Sequence, residues 1–173
     1  QQQMIHPALA CWEEGIGWLD HIERPGQAVQ MKEASLRLKA GDGWRMAGDP
    51  RKAEIHLQVA QDLGSETGDT ELEARVTFSL GQLYHYMGRT ILSQASFESA
   101  RSLSLAMVSR DDLSNLTPWR REVAVGALDG LGTLALEQGF GDRGRKLLEE
   151  ARELAGNDDL LAARVLTALS QDY

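Results

Sequence analysis

Residues 80–103 read L-G-Q-L-Y-H-Y-M-G-R-T-I-L-S-Q-A-S-F-E-S-A-R-S-L. Apolar residues recur at helical spacing on both sides of Met87-Gly88, and small residues (Gly81, Ser93, Ala100) sit opposite bulky ones (Tyr84, Phe97, Leu103). This is the pattern of two antiparallel helices that approach through small residues and turn near Gly88. The same punctuation recurs on either side. Gly41, Gly81 and Gly132 fall in one column, and Gly48, Gly88 and Gly139 fall in another seven residues later. Trp44, Tyr84 and Ala135 share a column, followed by Ala53, Ser93 and Gly144, then Leu57, Phe97 and Leu148. Ala60, Ala100 and Ala151 come next, and Leu63, Leu103 and Leu154 close the register. Two three-way glycine columns at fixed separation mark a repeat, and each unit leaves an apolar face that only a stacked neighbour covers.

The remaining chain reads as helices with cap residues, without sustained apolar/polar alternation or a hairpin dipeptide between β-branched runs. The first helix runs from Pro7 to about Glu23 and breaks at Arg24-Pro25-Gly26. A second covers about Ala28–Ala47. Asp49-Pro50 caps and opens a third, which ends near Leu63 with a loop over Gly64–Gly68. Asp69 caps a fourth that reaches Met87, and a fifth follows to about Val108. Ser109–Leu116 is irregular, and Thr117-Pro118 opens a sixth helix to about Gln138. Asp142 is expected to cap the seventh, ending at Gly156, and Asn157 the eighth, Asp158 to about Asp172.

The motif Leu80-Gly81-x2-Tyr84…Ser93-x3-Phe97-x2-Ala100 resembles the tetratricopeptide repeat signature. Arg37, Thr77 and Leu128 stand where that signature has its leading Trp, and the closing Pro is missing. Gly41 and Gly81 are 40 residues apart and Gly81 and Gly132 are 51 apart, against about 34 in the ordinary repeat. The longer spacing is similar to the tetratricopeptide-like repeats of bacterial signal-transducing ATPase regulators of the maltose-activator and LuxR-like type. Glu14-Gly15-x2-Trp18-Leu19 is similar to their E-G-x2-W-L helix. The resemblance implies an all-α superhelix of about eight antiparallel helices in one repeat domain, 1–173. Its parts are a half repeat over 7–26, repeats over about 28–68, 69–109 and 118–156, and a half repeat over 157–173. Ala163-Arg164-Val165 repeats Ala74-Arg75-Val76, so both ends read as half units of a longer array. A complete small protein with capping end helices is the alternative.

Composition sets the outer limits. With 173 residues, 42% hydrophobic and 25% charged, the chain suits one soluble unit burying roughly 70% of its unfolded surface. No stretch approaches the ~18 uninterrupted apolar residues of a membrane span, and QQQMIHPALACWEE lacks the layout of a signal peptide. The lone Cys11 cannot form an internal disulfide and reads as a small helix residue in a reducing, cytoplasmic setting. A net charge of −8 repels phosphate backbones and acidic membranes, which argues against direct nucleic-acid or membrane binding. Arg120-Arg121 and the Arg143/Arg145/Lys146 set are its tight basic groups, and the second alternates with Glu149, Glu150 and Glu153 as a solvated face does.

No catalytic constellation is legible. His6, His21, His56 and His85 show no metal-ligand spacing, and neither a phosphate loop nor a nucleophile elbow is present. Asp111-Asp112 and Asp158-Asp159 read as loop solvation and capping, because adjacent residues on a helix do not face one another. The expectation is therefore a non-catalytic scaffold without cofactor or metal that binds a protein segment or senses an effector. Self-association through the end helices is the second reading. An enzyme or small-ligand receptor is the third, with no residue-level support.

In tetratricopeptide arrays the first helix of each pair lines a concave groove. By register the resemblance implies groove positions Ser35, Leu38, Asp42, Arg45 and Met46 in the first unit. The second supplies Arg75, Phe78, Gln82, His85 and Tyr86, and the third Asp129, Thr133, Leu136 and Glu137, with Arg164 from the partial fourth. Arg45, Arg75 and His85 beside Met46, Phe78 and Tyr86 suit an anionic peptide with apolar side chains.

Overall fold

The structure, a computed structural model, describes residues 7–23, 25–108, 113, 116–156 and 158–170, apart from the side chains of 168–170. Among them lie eight α-helices and no strand: α1 (Pro7–Leu19), α2 (Gln27–Met46), α3 (Pro50–Thr67), α4 (Thr70–Tyr86), α5 (Thr90–Leu105), α6 (Pro118–Glu137), α7 (Gly141–Ala155) and α8 (Asp159–Ser170). The most extensive contacts are within the pairs α2–α3, α4–α5 and α6–α7. Each pair touches the next through α3–α4 and α5–α6, while α1 packs on α2 and α8 on α7. α2, α4, α6 and α8 also form a row in which each helix touches the following one.

The repeat columns have one physical meaning in all three hairpins. A Cβ on Gly41 would stand 2.6 Å from Leu57, one on Gly81 2.6 Å from Phe97, and one on Gly132 2.7 Å from Leu148. Each glycine thus lets the bulky residue of the partner helix lie directly on its backbone. Ala60, Ala100 and Ala151 are fully buried beside them. Ser93, in the small column, is also fully buried, and its Oγ donates to Gly81 O at 2.8 Å, which ties the two helices of that hairpin together.

The turns repeat as closely. Gly48, Gly88 and Gly139 have φ of 81°, 69° and 82°, the left-handed cap that favours glycine. The following residue's N–H donates back across the turn each time: Asp49 to Trp44 O, Arg89 to Tyr84 O and Phe140 to Ala135 O, at 2.9, 2.8 and 2.8 Å. Together with the glycine N–H bonds to Arg45 O, His85 O and Leu136 O, these are Schellman ends. They satisfy carbonyls that the helix terminus leaves open.

Several boundaries differ from the sequence reading. α1 stops at Leu19 rather than Glu23. α3 runs through Gly64 to Thr67, because Gly64 is buried against the start of α4 and Gly68, with φ 68°, supplies the stop instead. α5 ends at Leu105, before Val108. Asp49 and Asp69 cap as expected, accepting from Lys52 N and Leu72 N. Asp142 does not: α7 begins at Gly141, and Asp142 lies in its first turn, where a carboxylate still favours the helix dipole. Asn157 and Asp111-Asp112 lie outside the described residues, and the α8 cap is Asp158, whose carboxylate accepts from Leu160 N and Leu161 N. Cys11 is exposed on α1. Among the described residues no helix is long and apolar enough to cross a membrane.

Candidate functional site

The row of first helices carries three adjoining cavities. The first, between α2 and α4, has about 420 Å³ and is walled by Ser35, Leu38, Asp42 and Arg75 together with Lys39, Asp69, Glu71 and Leu72. The second shares Leu38, Asp42 and Arg75 with it and adds Phe78, Ser79, Gln82, Glu122 and Val123. The third, about 240 Å³, shares Phe78 and Gln82 and reaches α6 through Asp129, Gly130 and Thr133, with Arg45, His85, Phe97 and Gly126 completing it. These shared walls make one groove running α2–α4–α6. A separate cavity of about 500 Å³ among α5, α6 and α7, at Leu105, Arg121, Glu150 and Leu154, holds none of the expected residues.

Ten of the expected positions therefore meet in the groove: Ser35, Leu38, Asp42, Arg45, Arg75, Phe78, Gln82, His85, Asp129 and Thr133. Glu137 and Arg164 stand at its margin. Glu137 Oε1 lies 3.4 Å from His85 Nε2, and Arg164 Nε lies 3.4 Å from Asp129 Oδ2. Met46 and Tyr86 are the last residues of α2 and α4, 81% and 57% exposed, and form no part of these cavity walls. Leu136 turns away to cover Gly144 of α7, so it belongs to the hairpin interior.

Register explains the geometry. Asp42, Gln82 and Thr133 each follow the glycine that seats the partner helix, so they project from the same side of α2, α4 and α6. They form a polar ladder with one rung per hairpin. Gly126 and Gly130, one helical turn apart on α6, give the aromatic floor its room. A Cβ on Gly126 would stand 2.7 Å from Phe78 and one on Gly130 2.6 Å from Phe97. The two rings pack at a centroid distance of 5.9 Å.

The electrostatics differ from what a count of cations suggests. Every expected cation of the groove already faces a carboxylate of the same chain. Arg45 Nη2 is 3.9 Å from Asp42 Oδ1, and Arg75 reaches Glu71 at 3.0 Å and Glu122 at 3.2 Å. Arg164 faces Asp129, and His85 faces Glu137. Burial pushes the carboxyls of Asp42 and Asp129 above the ordinary aspartate range. Arg45 and the Ser79 hydrogen bond pull against it at Asp42, and Arg164 does so at Asp129. Ser79 Oγ donates to Asp42 Oδ2 at 3.2 Å. Asp42 Oδ1, Asp129 Oδ1 and Arg45 Nε are buried without a hydrogen-bond partner.

Sequence reasoning missed Ser79, Glu122, Gly126 and Gly130. The four-residue spacing of the two glycines was a legible signal for close approach on one face of α6. Glu122 carried none, because its role depends on which helix α4 meets. Compared with family models and with curated proteins, the chain matches none.

Proposed function

We propose that this chain is a non-catalytic interaction scaffold of tetratricopeptide-like hairpins that holds an extended segment of a protein partner along the α2–α4–α6 groove. In this reading it serves a cytoplasmic bacterial transcriptional or signalling regulator, to which the long repeats and the Glu14-Gly15-x2-Trp18-Leu19 helix are similar. The carrying observation is the ladder of Asp42, Gln82 and Thr133: three equivalent polar positions, one per hairpin, on a single groove with a Phe78/Phe97 floor. Rungs that recur with the repeat match a ligand whose own backbone groups recur along an extended chain, and the aromatic floor accepts its side chains. The test is binding to an immobilised array of extended peptides by the full chain and by an Arg75→Ala/Gln82→Ala variant of equal far-UV circular dichroism. The wild type should retain a subset that the variant releases, and identical retention would discard the groove.

A second reading, self-association, has its own observation. Trp18 and Ile22 at one end of the helix series are 73% and 42% exposed, and Leu160 and Leu166 on α8 are 81% and 45% exposed. Sedimentation velocity from micromolar to millimolar protein separates the two, since a Trp18→Asp/Leu160→Asp variant removes association only if these faces carry it.

A further inference from the structure

We infer that the segment seated in the groove is basic, with an arginine or lysine side chain lying over Phe78 between Asp42 and Asp129. This rests on the groove reading above and assigns its charge. Phe78 lines both the cavity that contains Asp42 and the cavity that contains Asp129, so this one residue joins the two parts of the groove that hold the carboxylates. An ionised carboxylate has about four acceptor sites, and each of these two keeps an oxygen without any hydrogen bond. Both unbonded oxygens are covered from solvent, and the broad, two-fold terminal torsion of aspartate lets each carboxylate turn to present two acceptors to an entering cation.

The chain itself shows what this wall accepts. Arg164 of α8 lays its guanidinium where a side chain on Gly126 would be, with Nη2 2.6 Å from the Cβ position that also abuts Phe78, while its Nε faces Asp129. Arg164 thus sets a guanidinium near both Phe78 and Asp129, and charge-assisted hydrogen bonding to the carboxylate favours a cation at that place. Arg45 is the opposing charge on α2. At 3.9 Å from Asp42 Oδ1 it offsets the aspartate's field without filling its lone pairs. An acidic segment meets the reverse: Arg75, Arg164 and His85 are already matched by Glu122, Asp129 and Glu137, within a chain of net charge −8. Lys39, exposed on the wall of the α2–α4 cavity but outside the two cavities that Phe78 lines, is the groove cation that opposes the repulsion of those carboxylates only at that far end.

The experiment is fluorescence anisotropy of the full chain with two labelled twelve-residue peptides on one Ser/Leu frame, one with Arg and the other with Glu at every third position, at about 0.15 M salt. Three variants accompany the wild type. Asp42→Asn/Asp129→Asn removes the charge of these two groove aspartates at constant shape, Glu98→Gln/Glu149→Gln removes the same charge from exposed positions on α5 and α7, and Arg75→Ala/Gln82→Ala perturbs the groove. The Arg peptide should bind about tenfold or more tighter than the Glu peptide. Asp42→Asn/Asp129→Asn should erase most of that margin while melting at or above the wild-type temperature, and Glu98→Gln/Glu149→Gln should leave it. Tighter binding of the Glu peptide overturns the charge assignment and spares the groove if Arg75→Ala/Gln82→Ala abolishes it. Equal losses in the two charge variants mean a diffuse field and overturn the assignment as well. Failure of both peptides to bind, or binding indifferent to Arg75→Ala/Gln82→Ala, takes the groove reading down with it. Should the double aspartate variant not fold, either single variant reads the same margin.

Discussion

The interiors of the three hairpins and the groove between them are built from the same helices under opposite rules. Inside a hairpin, position after position is repeated: glycine under a bulky residue, buried alanine, left-handed glycine at the turn. Along the groove, equivalent positions hold Asp42, Gln82 and Thr133, or Leu38, Phe78 and Asp129. Close packing admits few solutions for two helices in backbone contact, so the interior is uniform. The groove has no partner within its own hairpin, so packing leaves its chemistry unconstrained. Burying two incompletely bonded carboxylates there works against stability. That pattern supports the groove proposed above as the binding surface.

The sharpest way to break this contrast is at Phe97, which covers both Gly81 of its own hairpin and Gly130 of the next. Phe97→Ala should destabilise by about 3–5 kcal/mol in urea unfolding, since it empties a site 3% exposed. A loss below about 1 kcal/mol would show that the hairpins do not depend on each other there. Next come Gly41→Val and Gly132→Val, which drive a branched side chain into Leu57 and Leu148 at almost the same distance. Each should cost about 1–3 kcal/mol. The two losses should agree, and a large disparity would dissolve the equivalence of first and third hairpins. Smaller still, Gly48→Ala, Gly88→Ala and Gly139→Ala each force alanine into the left-handed region, at about 1–2 kcal/mol apiece in thermal or urea denaturation.

The smallest effect has the opposite sign and probes the groove. Asp42→Asn and Asp129→Asn should raise the melting temperature at neutral pH by about 1–3 °C. Because burial raises both folded-state values, each aspartate takes up its proton in the folded state before it does when unfolded. Its penalty is complete above the folded value, fades as pH falls through it, and is gone below the unfolded value near 3.8. The advantage of the asparagine variants should therefore shrink between neutral pH and about pH 4. An advantage that grew on acidification would mean these carboxyls are stabilised by their neighbours instead.

Much of this was legible in residue types. The glycine columns, the Asp49-Pro50 start and the Asp69 cap each depend on contacts within one hairpin or a few residues, and the structure has them where the sequence put them. The errors fell where a neighbouring helix changes the local preference. Gly64 looked like a loop but stays helical, buried against the start of α4, and the left-handed Gly68 supplies the stop. Leu136 looked like a groove residue but covers the backbone of Gly144. Met46 and Tyr86 held groove positions by register, yet at the last residue of α2 and α4 each stays largely exposed and outside the cavity walls.

By itself, then, the sequence determined the all-α architecture, the three hairpins and their turns, because left-handed caps and glycine-on-bulky contacts are set by backbone sterics and short separations. Only the tertiary structure decided which charges of neighbouring hairpins face one another along the groove. Whether Arg75 also pairs with Glu122 depends on where α6 falls beside α4, 47 residues later in the chain. Its i,i+4 partner Glu71 follows from local helix spacing, whereas a pairing between two helices follows only from how they pack.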